Sequence, residues 1–260
     1  MNRAKQDQRI FKEWMRCLDT KKLSAMAPGQ LLLKIGKCFI GTPCGEGTLE
    51  ARGAEQLVVN LREFDCATLV ENAVALGLCV KSKQKSFETF RKFLKKIRYR
   101  QGRIQGYASR LHYFSDWLRD NEKKGILREV TKDIGGRSLK KTITFMTAHP
   151  DLYPPLKHGV ALRRMKRVER TISRRPSLFV AKKALRHLEG RMDEGDLVAI
   201  TTNREGLDVQ HVGLAARVRG RIHLLHASST EGNVVLSRET LYRYLAKDKG
   251  CSGIRVARLL

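Results

Sequence analysis

The stretch Phe64-Asp65-Cys66-Ala67-Thr68-Leu69-Val70-Glu71 opens the strongest helical segment of this chain, and its apolar run continues through residues 72–80 (NAVALGLCV). A helix over 66–80 is therefore expected. Asp65 is placed to act as its N-cap or to sit just before it, and Thr68 with Glu71 suits a first turn. A thiol at a helix start meets unpaired backbone N–H groups, which predicts a lowered pKa and a nucleophilic thiolate. The same N–H groups can donate to the oxyanion formed when an amide carbonyl is attacked. A cysteine at such a position is more often a small buried residue. A catalytic reading of Cys66 needs a base elsewhere in the chain.

That base is sought in the C-terminal third. From Gly195 the pattern turns to period two with β-branched residues, over 197–201, 209–218, 221–226 and 234–236. Turn residues at 203–206, 219–220 and 231–233 make this an antiparallel meander. His211 falls in the first strand of the central pair and His226 closes the second, so neighbouring strands can bring both imidazoles to one face. His223 alternates to the opposite face. In that arrangement His211 takes the Cys66 proton and His226 orients it. A zinc site built from Cys66, His211 and His226 is the rival use of these residues, although no familiar ligand spacing accompanies it. His149, His158 and His187 read as ordinary structural or surface residues.

Outward from these two stretches, residues 8–39 read as two helices divided by Pro28-Gly29, followed by a turn-rich 41–47 (GTPCGEG). Residues 57–61 (LVVNL) read as a short strand. Residues 87–98 form a basic amphipathic helix with Phe87, Phe90, Phe93, Leu94 and Ile97 on one stripe. Helices are also expected over 113–121 and 182–188, with Pro150, Pro154 and Pro155 marking a loop inside a mixed, basic 131–185. Helices first and a sheet after argue an α+β fold. Its expected division is a helical extension over 1–34 and a main domain over 35–260 with a basic helical insertion around 131–190.

The chain has 260 residues, with 52 Lys+Arg against 26 Asp+Glu, a formal net charge of +26. Such a chain is drawn to polyanions, and its densest patch is 163–175 (RRMKRVERTISRR). Zinc-finger spacing and aromatic-basic RNA-binding motifs are absent from the sequence, which argues against a dedicated nucleic-acid module. The six cysteines form no Cys-x-x-Cys pair, so they read as free thiols. No apolar run reaches the ~20 residues of a membrane span. Residues 1–20 lack the continuous apolar core of a secretory leader, so a cytoplasmic location is expected of the chain as written.

With these residues in hand, the chain resembles the NlpC-type, papain-like superfamily of cell-wall hydrolases, and within it the N-acetylmuramoyl-L-alanine amidase-like branch. The resemblance runs from about Ile35 to Leu245. It is carried by Gly41-Thr42-Pro43, the Cys66 segment, Tyr107-Ala108-Ser109-Arg110-Leu111-His112-Tyr113-Phe114-Ser115-Asp116-Trp117, Gly195-Asp196-Leu197-Val198, His211-Val212-Gly213 and His226-Ala227-Ser228-Ser229. It implies a helical half carrying Cys66 and a sheet carrying the His pair. It further implies metal-independent hydrolysis, without a cofactor, of the amide joining the muramic acid lactyl group to L-alanine in peptidoglycan fragments. Cys66 would be nucleophile, His211 base and His226 the orienting member, with Tyr107, Ser109, Arg110, His112, Tyr113 and Trp117 contacting substrate. By resemblance the compartment would be the periplasm or cell envelope if a leader is missing. The alternatives are a stem-peptide peptidase of the same fold, or a non-catalytic binder of polyanions or cell wall.

Overall fold

The computed structural model describes residues 2–18, 20–50, 53–82 and 84–260. The expected helical stretch 8–39 resolves into α1 (Arg3–Cys17), α2 (Thr20–Ser24) and α3 (Pro28–Cys38), with residue 19 outside the described residues. Pro28 begins α3, where its missing N–H costs nothing. Then follow α4 (Cys66–Lys81), α5 (Phe87–Arg98), α6 (Phe114–Lys123), β1 (Leu127–Glu129), β2 (Arg137–Leu139), α7 (Phe145–Ala148), α8 (Gly159–Ser173), β3 (Ser177–Ala181) and α9 (Lys182–Leu188). The chain closes with β4 (Leu197–Thr202), β5 (Val209–Val218), β6 (Arg221–Ser228), β7 (Asn233–Thr240), α10 (Leu241–Lys247) and β8 (Cys251–Leu259).

The fold is α+β, built on an antiparallel sheet of order β2-β3-β8-β4-β5-β6-β7, with β1 also paired to β8. The meander β4 to β7 follows from the alternation in the sequence. The last strand does not: β8 inserts beside β4, with Leu197 opposite Ala257 and Ile200 opposite Ile254. Sheet strands thus also come from the middle of the chain and from its end, so the helices-then-sheet order is only partly kept. Alternate residues divide the core. Leu197, Ala199, Val212, Leu214, Leu225 and Leu259 face the N-terminal helices, while Val198, Ile200, Ala215, Ile222, Leu224 and Val256 face α9 and α10.

Residues 57–61 are not a strand. Their backbone bonds go to side chains instead: the Leu61 N–H donates to Asp7 Oδ1 at 2.9 Å, and the Val58 carbonyl accepts from the buried Arg98. With no neighbouring strand to pair, an apolar β-branched run stays coil.

The helix α4 is predominantly apolar and buried along nearly its whole length, packed between α3, α5 and β5. Its start is held by a reciprocal cap. The Thr68 N–H donates to Asp65 Oδ1 at 2.7 Å and the Asp65 N–H donates to Thr68 Oγ1 at 2.9 Å. The Gly41-Thr42-Pro43 loop then joins this helix to the sheet. The Gly41 N–H bonds Val234 O, the Cys44 N–H bonds Gly232 O, and the Phe64 N–H bonds Pro43 O. One short loop thereby sets the start of α4 against the strands. No described helix is long and apolar enough to cross a membrane.

Candidate active site

At the start of α4 and the first residues of β5 lies a cavity of about 190 Å³, lined by Cys66, Ala67, Val70, Glu71, Leu111, His112, Phe114, Trp117 and residues 209–212. Cys66 is the first residue of the helix and is half-buried, its thiol turned away from solvent. Asp65 satisfies the Thr68 N–H, and the Ala67 backbone amide is directed at the thiol.

His211 and His226 stand on the adjacent strands β5 and β6, with His211 Nε2 2.8 Å from His226 Nδ1. Their rings meet edge to face at 4.9 Å. Gly213 makes this approach possible. A Cβ there would lie 2.6 Å from Leu225 O and 3.1 Å from the His226 Cβ, so only glycine lets the two strands close at this point. Behind the pair, Tyr244 of α10 packs edge-on to His226 at 5.2 Å. His223 is not part of the cluster; its Nδ1 pairs with the Ser237 carbonyl at 2.9 Å.

The electrostatics differ from expectation. Burial pushes the Cys66 thiol up to about 12, helped by the neighbouring Asp65 carboxylate, while the Val212 and Ala67 backbone amides pull the other way. The helix start was expected to lower this value. Desolvation outweighs the partial charge of the helix end, because the thiol sits against apolar Val70 and Val212. Burial likewise holds His211 down to about 3 and His226 to about 4, the His226 ring adding to the effect on His211. The resting site is a neutral thiol beside two neutral imidazoles.

The segment 107–117 divides. His112 and Trp117 reach the cavity with Cys66 and His211. His112 is neutral, held to about 3 by burial and the Arg110 charge, and its Nε2 is 3.0 Å from the Tyr107 carbonyl. Of the other four, Tyr113 lines a smaller adjoining cavity that shares His112, Phe114 and Val209 with the first, whereas Tyr107, Ser109 and Arg110 line neither. Arg110 is buried and donates to Glu50 Oε1 at 2.8 Å, with Glu55 at 3.4 Å, and stacks over the Tyr107 ring. The Tyr113 hydroxyl donates to Glu169 Oε1 at 2.7 Å and accepts from the Met146 N–H at 2.9 Å. The Ser109 hydroxyl donates to the Gly106 carbonyl at 2.6 Å.

Sequence reasoning did not single out Glu71, Gln210, Phe114 or Tyr244 as site residues. Glu71 lines the cavity while its Oε2 accepts from Arg98 Nε at 2.7 Å, a buried pair. Two buried charged residues 27 positions apart carry no periodic signal, and neither does Tyr244 on a helix that the alternation of the flanking strands conceals. Among the described residues no three His, Cys, Asp or Glu side chains converge to hold a metal ion. In the rival zinc set, His211 and His226 turn facing nitrogens toward each other.

A family model described as N-acetylmuramoyl-L-alanine amidase-like matches residues 34–254. No curated protein matches the chain significantly. Among solved structures, an N-acetylmuramoyl-L-alanine amidase from Bacteroides uniformis is 37% identical, with a TM-score of 0.84 over 89% of this chain and 98% of that one. A Bacteroides fragilis protein provisionally named a xylanase is 39% identical, with a TM-score of 0.81 over 86% of this chain and 98% of that one. A Legionella pneumophila protein, 22% identical with a TM-score of 0.71 over 100% and 97% of the two chains, shares the fold.

Proposed function

The chain belongs to the N-acetylmuramoyl-L-alanine amidase-like family, and on that premise we propose that it is a papain-like cysteine amidase of the NlpC type that releases the stem peptide from muropeptides. The observation that carries the mechanism is the 2.8 Å contact of His211 Nε2 with His226 Nδ1, at a cavity that Cys66 and His211 line together.

The chemistry follows from those two nitrogens. With His211 donating its Nε2–H to His226, its Nδ1 holds the lone pair and is the nitrogen left for the thiol. As both partners are neutral at rest, the proton leaves sulfur for Nδ1 in the step in which sulfur attacks the lactyl carbonyl carbon. The new imidazolium is stabilised by its bond to His226. Negative charge building on the carbonyl oxygen is met by the free backbone N–H groups of the first turn of α4. Collapse of the adduct breaks the carbon–nitrogen bond, and the Nδ1 proton passes to the departing L-alanine amine. Water, deprotonated by the same nitrogen, then attacks the thioester and frees the muramic acid carboxylate and the thiol. The mostly apolar cavity fits the small methyl groups on either side of this amide.

Purified muropeptides incubated with wild type and Cys66→Ala, and analysed by mass spectrometry, test the reading. Free peptide beginning with L-alanine is expected from the wild type alone. Products cut within the stem would make the protein a peptidase of the same fold. No product from folded, reduced wild type would overturn the amidase reading.

A further inference from the structure

The basic patch of the sequence is a helix face. In α8 the residues Met165, Glu169 and Ile172 are buried, and they recur at spacings of four and three along one side. Directly opposite, also spaced by three or four, run Arg163, Arg167, Arg170 and Arg174, all exposed and flanked by exposed Arg164, Lys166 and Arg175. The stripe spans roughly 16 Å at the rise of an α-helix.

These cations lack counter-charges. The helix has one carboxylate, Glu169, which is buried and bonded to the Tyr113 hydroxyl and the Thr147 N–H. Among the described residues no acidic side chain forms an ion pair with Arg163, Lys166, Arg167, Arg170, Arg174 or Arg175, and Arg164 donates only to the Gln105 carbonyl. Elsewhere in the molecule buried arginines are matched by carboxylates: Arg98 by Glu71, Arg110 by Glu50 and Glu55, and Arg255 by Glu129. The stripe is an unneutralised surface in a chain of net charge +26.

A second feature lies at its N-terminal end. Leu152 is 62% exposed and Val160 54% exposed, two of the five large apolar side chains that stand in solvent among the described residues. Exposed Pro154 and Pro155 lie between them on a short helical turn packed against α8. Val160 is on the same side of the helix as the arginine stripe, about 50° around the axis from its centre at 100° per residue. Exposed aliphatic side chains at the end of a row of cations, one of them on the same side of the helix, are the arrangement that lies on a membrane surface, with aliphatic groups entering the headgroup boundary and arginines on the phosphates. Nucleic acid would use the cations but not the aliphatic side chains, since leucine and valine offer no ring on which a base stacks.

We propose that this face, Leu152 and Val160 with the α8 arginine stripe, docks the protein onto an anionic lipid bilayer. The inference stands independently of the catalytic reading. The full chain is sedimented with phosphatidylcholine vesicles and with vesicles containing an equal part of phosphatidylglycerol, at about 0.15 M salt. Binding to the anionic vesicles alone is expected. The triple variant Arg163→Glu, Arg167→Glu, Arg170→Glu should lower the partition coefficient at least about 100-fold, at roughly fivefold per lost cation. The pair Leu152→Ser, Val160→Ser leaves the charge unchanged and should still lower it several-fold. All five residues are exposed, so unchanged thermal midpoints are the check that the variants fold. Absence of binding by the folded wild type would overturn the proposal, as would binding that survives charge reversal. Binding that ignores the Leu152/Val160 change and is displaced by an oligonucleotide would overturn it in favour of a nucleic-acid surface.

Discussion

Two stretches meet at the cavity and contribute to it differently. In residues 64–71 the residues that make the helix start are also those that make the site: Asp65 and Thr68 cap the helix, Cys66 and Glu71 line the cavity. In residues 107–117 only His112, Trp117 and their neighbours Leu111 and Phe114 reach it, while Ser109, Arg110 and Tyr113 spend their polar groups on Gly106, Glu50 and Glu169. A capped helix end presents its first residue by local geometry alone. A loop presents only what its distant partners leave uncovered, and here Glu50, Glu55, Glu169 and Asp208 claim Arg110, Tyr113 and Ser115.

The difference can be broken at the chemistry first. On the proposed mechanism His211→Ala removes the base and should lower turnover about 10,000-fold or more, whereas His226→Ala removes only its orientation and should cost less, on the order of 1,000-fold. Single-turnover rates on a muropeptide measure both, and equal losses would give His226 a larger share than orientation.

Next comes the support under the helix. Arg98→Ala strips the partner from buried Glu71 and orphans the Val58 carbonyl, a change worth about 3–5 kcal/mol for a buried pair broken on one side. Urea denaturation reads it. A loss under 1 kcal/mol would mean that water reaches Glu71 through the cavity well enough to replace the guanidinium.

The histidines set a pH dependence shared by both regions. Burial holds His112 and His211 at about 3 and His226 at about 4, below the ordinary 6.5. Between those values the unfolded chain binds protons that the folded chain refuses. Stability is therefore complete above pH 6.5 and falls as pH drops toward 4, by up to about 2 kcal/mol per histidine between 6.5 and 5. Since a neutral His211 is the active form, kcat/KM should show no acid limb near 6.5 while the protein stays folded. A limb at 6.5 would mean that His211 is hydrated in solution.

The smallest effect sharpens the comparison most. Tyr113→Phe leaves the Met146 N–H without a partner and removes one of the two donors to Glu169 Oε1, and should cost about 1–3 kcal/mol of stability. Turnover by the folded variant should stay within about threefold, because the hydroxyl is spent on Glu169 and Met146. A large rise in KM with stability intact would instead place Tyr113 in contact with substrate.

How much was legible in the sequence follows the range of the interactions. α4 was expected over 66–80 and runs to Lys81, because a cap, an apolar run and a terminating Lys81-Ser82 are all local. β5 over 209–218 and the tight turn after it came from the period-two, β-branched pattern of this third of the chain and from Arg219-Gly220, both with positive φ. The strand expected at 57–61 failed because a strand exists only with a neighbour, and Asp7 and Arg98 took its backbone bonds instead. The placement of β8 beside β4 was invisible for the same reason, since pairing across more than fifty residues leaves no mark within either segment.

By itself, then, the sequence determined a capped helix beginning at Cys66, a meander carrying His211 and His226, and a dense basic stretch at 163–175. Tertiary structure alone decided that the two imidazoles meet through Nε2 and Nδ1, that Arg110 is already matched by carboxylates, and that the Cys66 thiol rests protonated. The physical reason is the same in each case. Caps and alternation depend on residues a few positions apart, whereas desolvation, ion pairing and the approach of two strands at Gly213 depend on which distant atoms displace water.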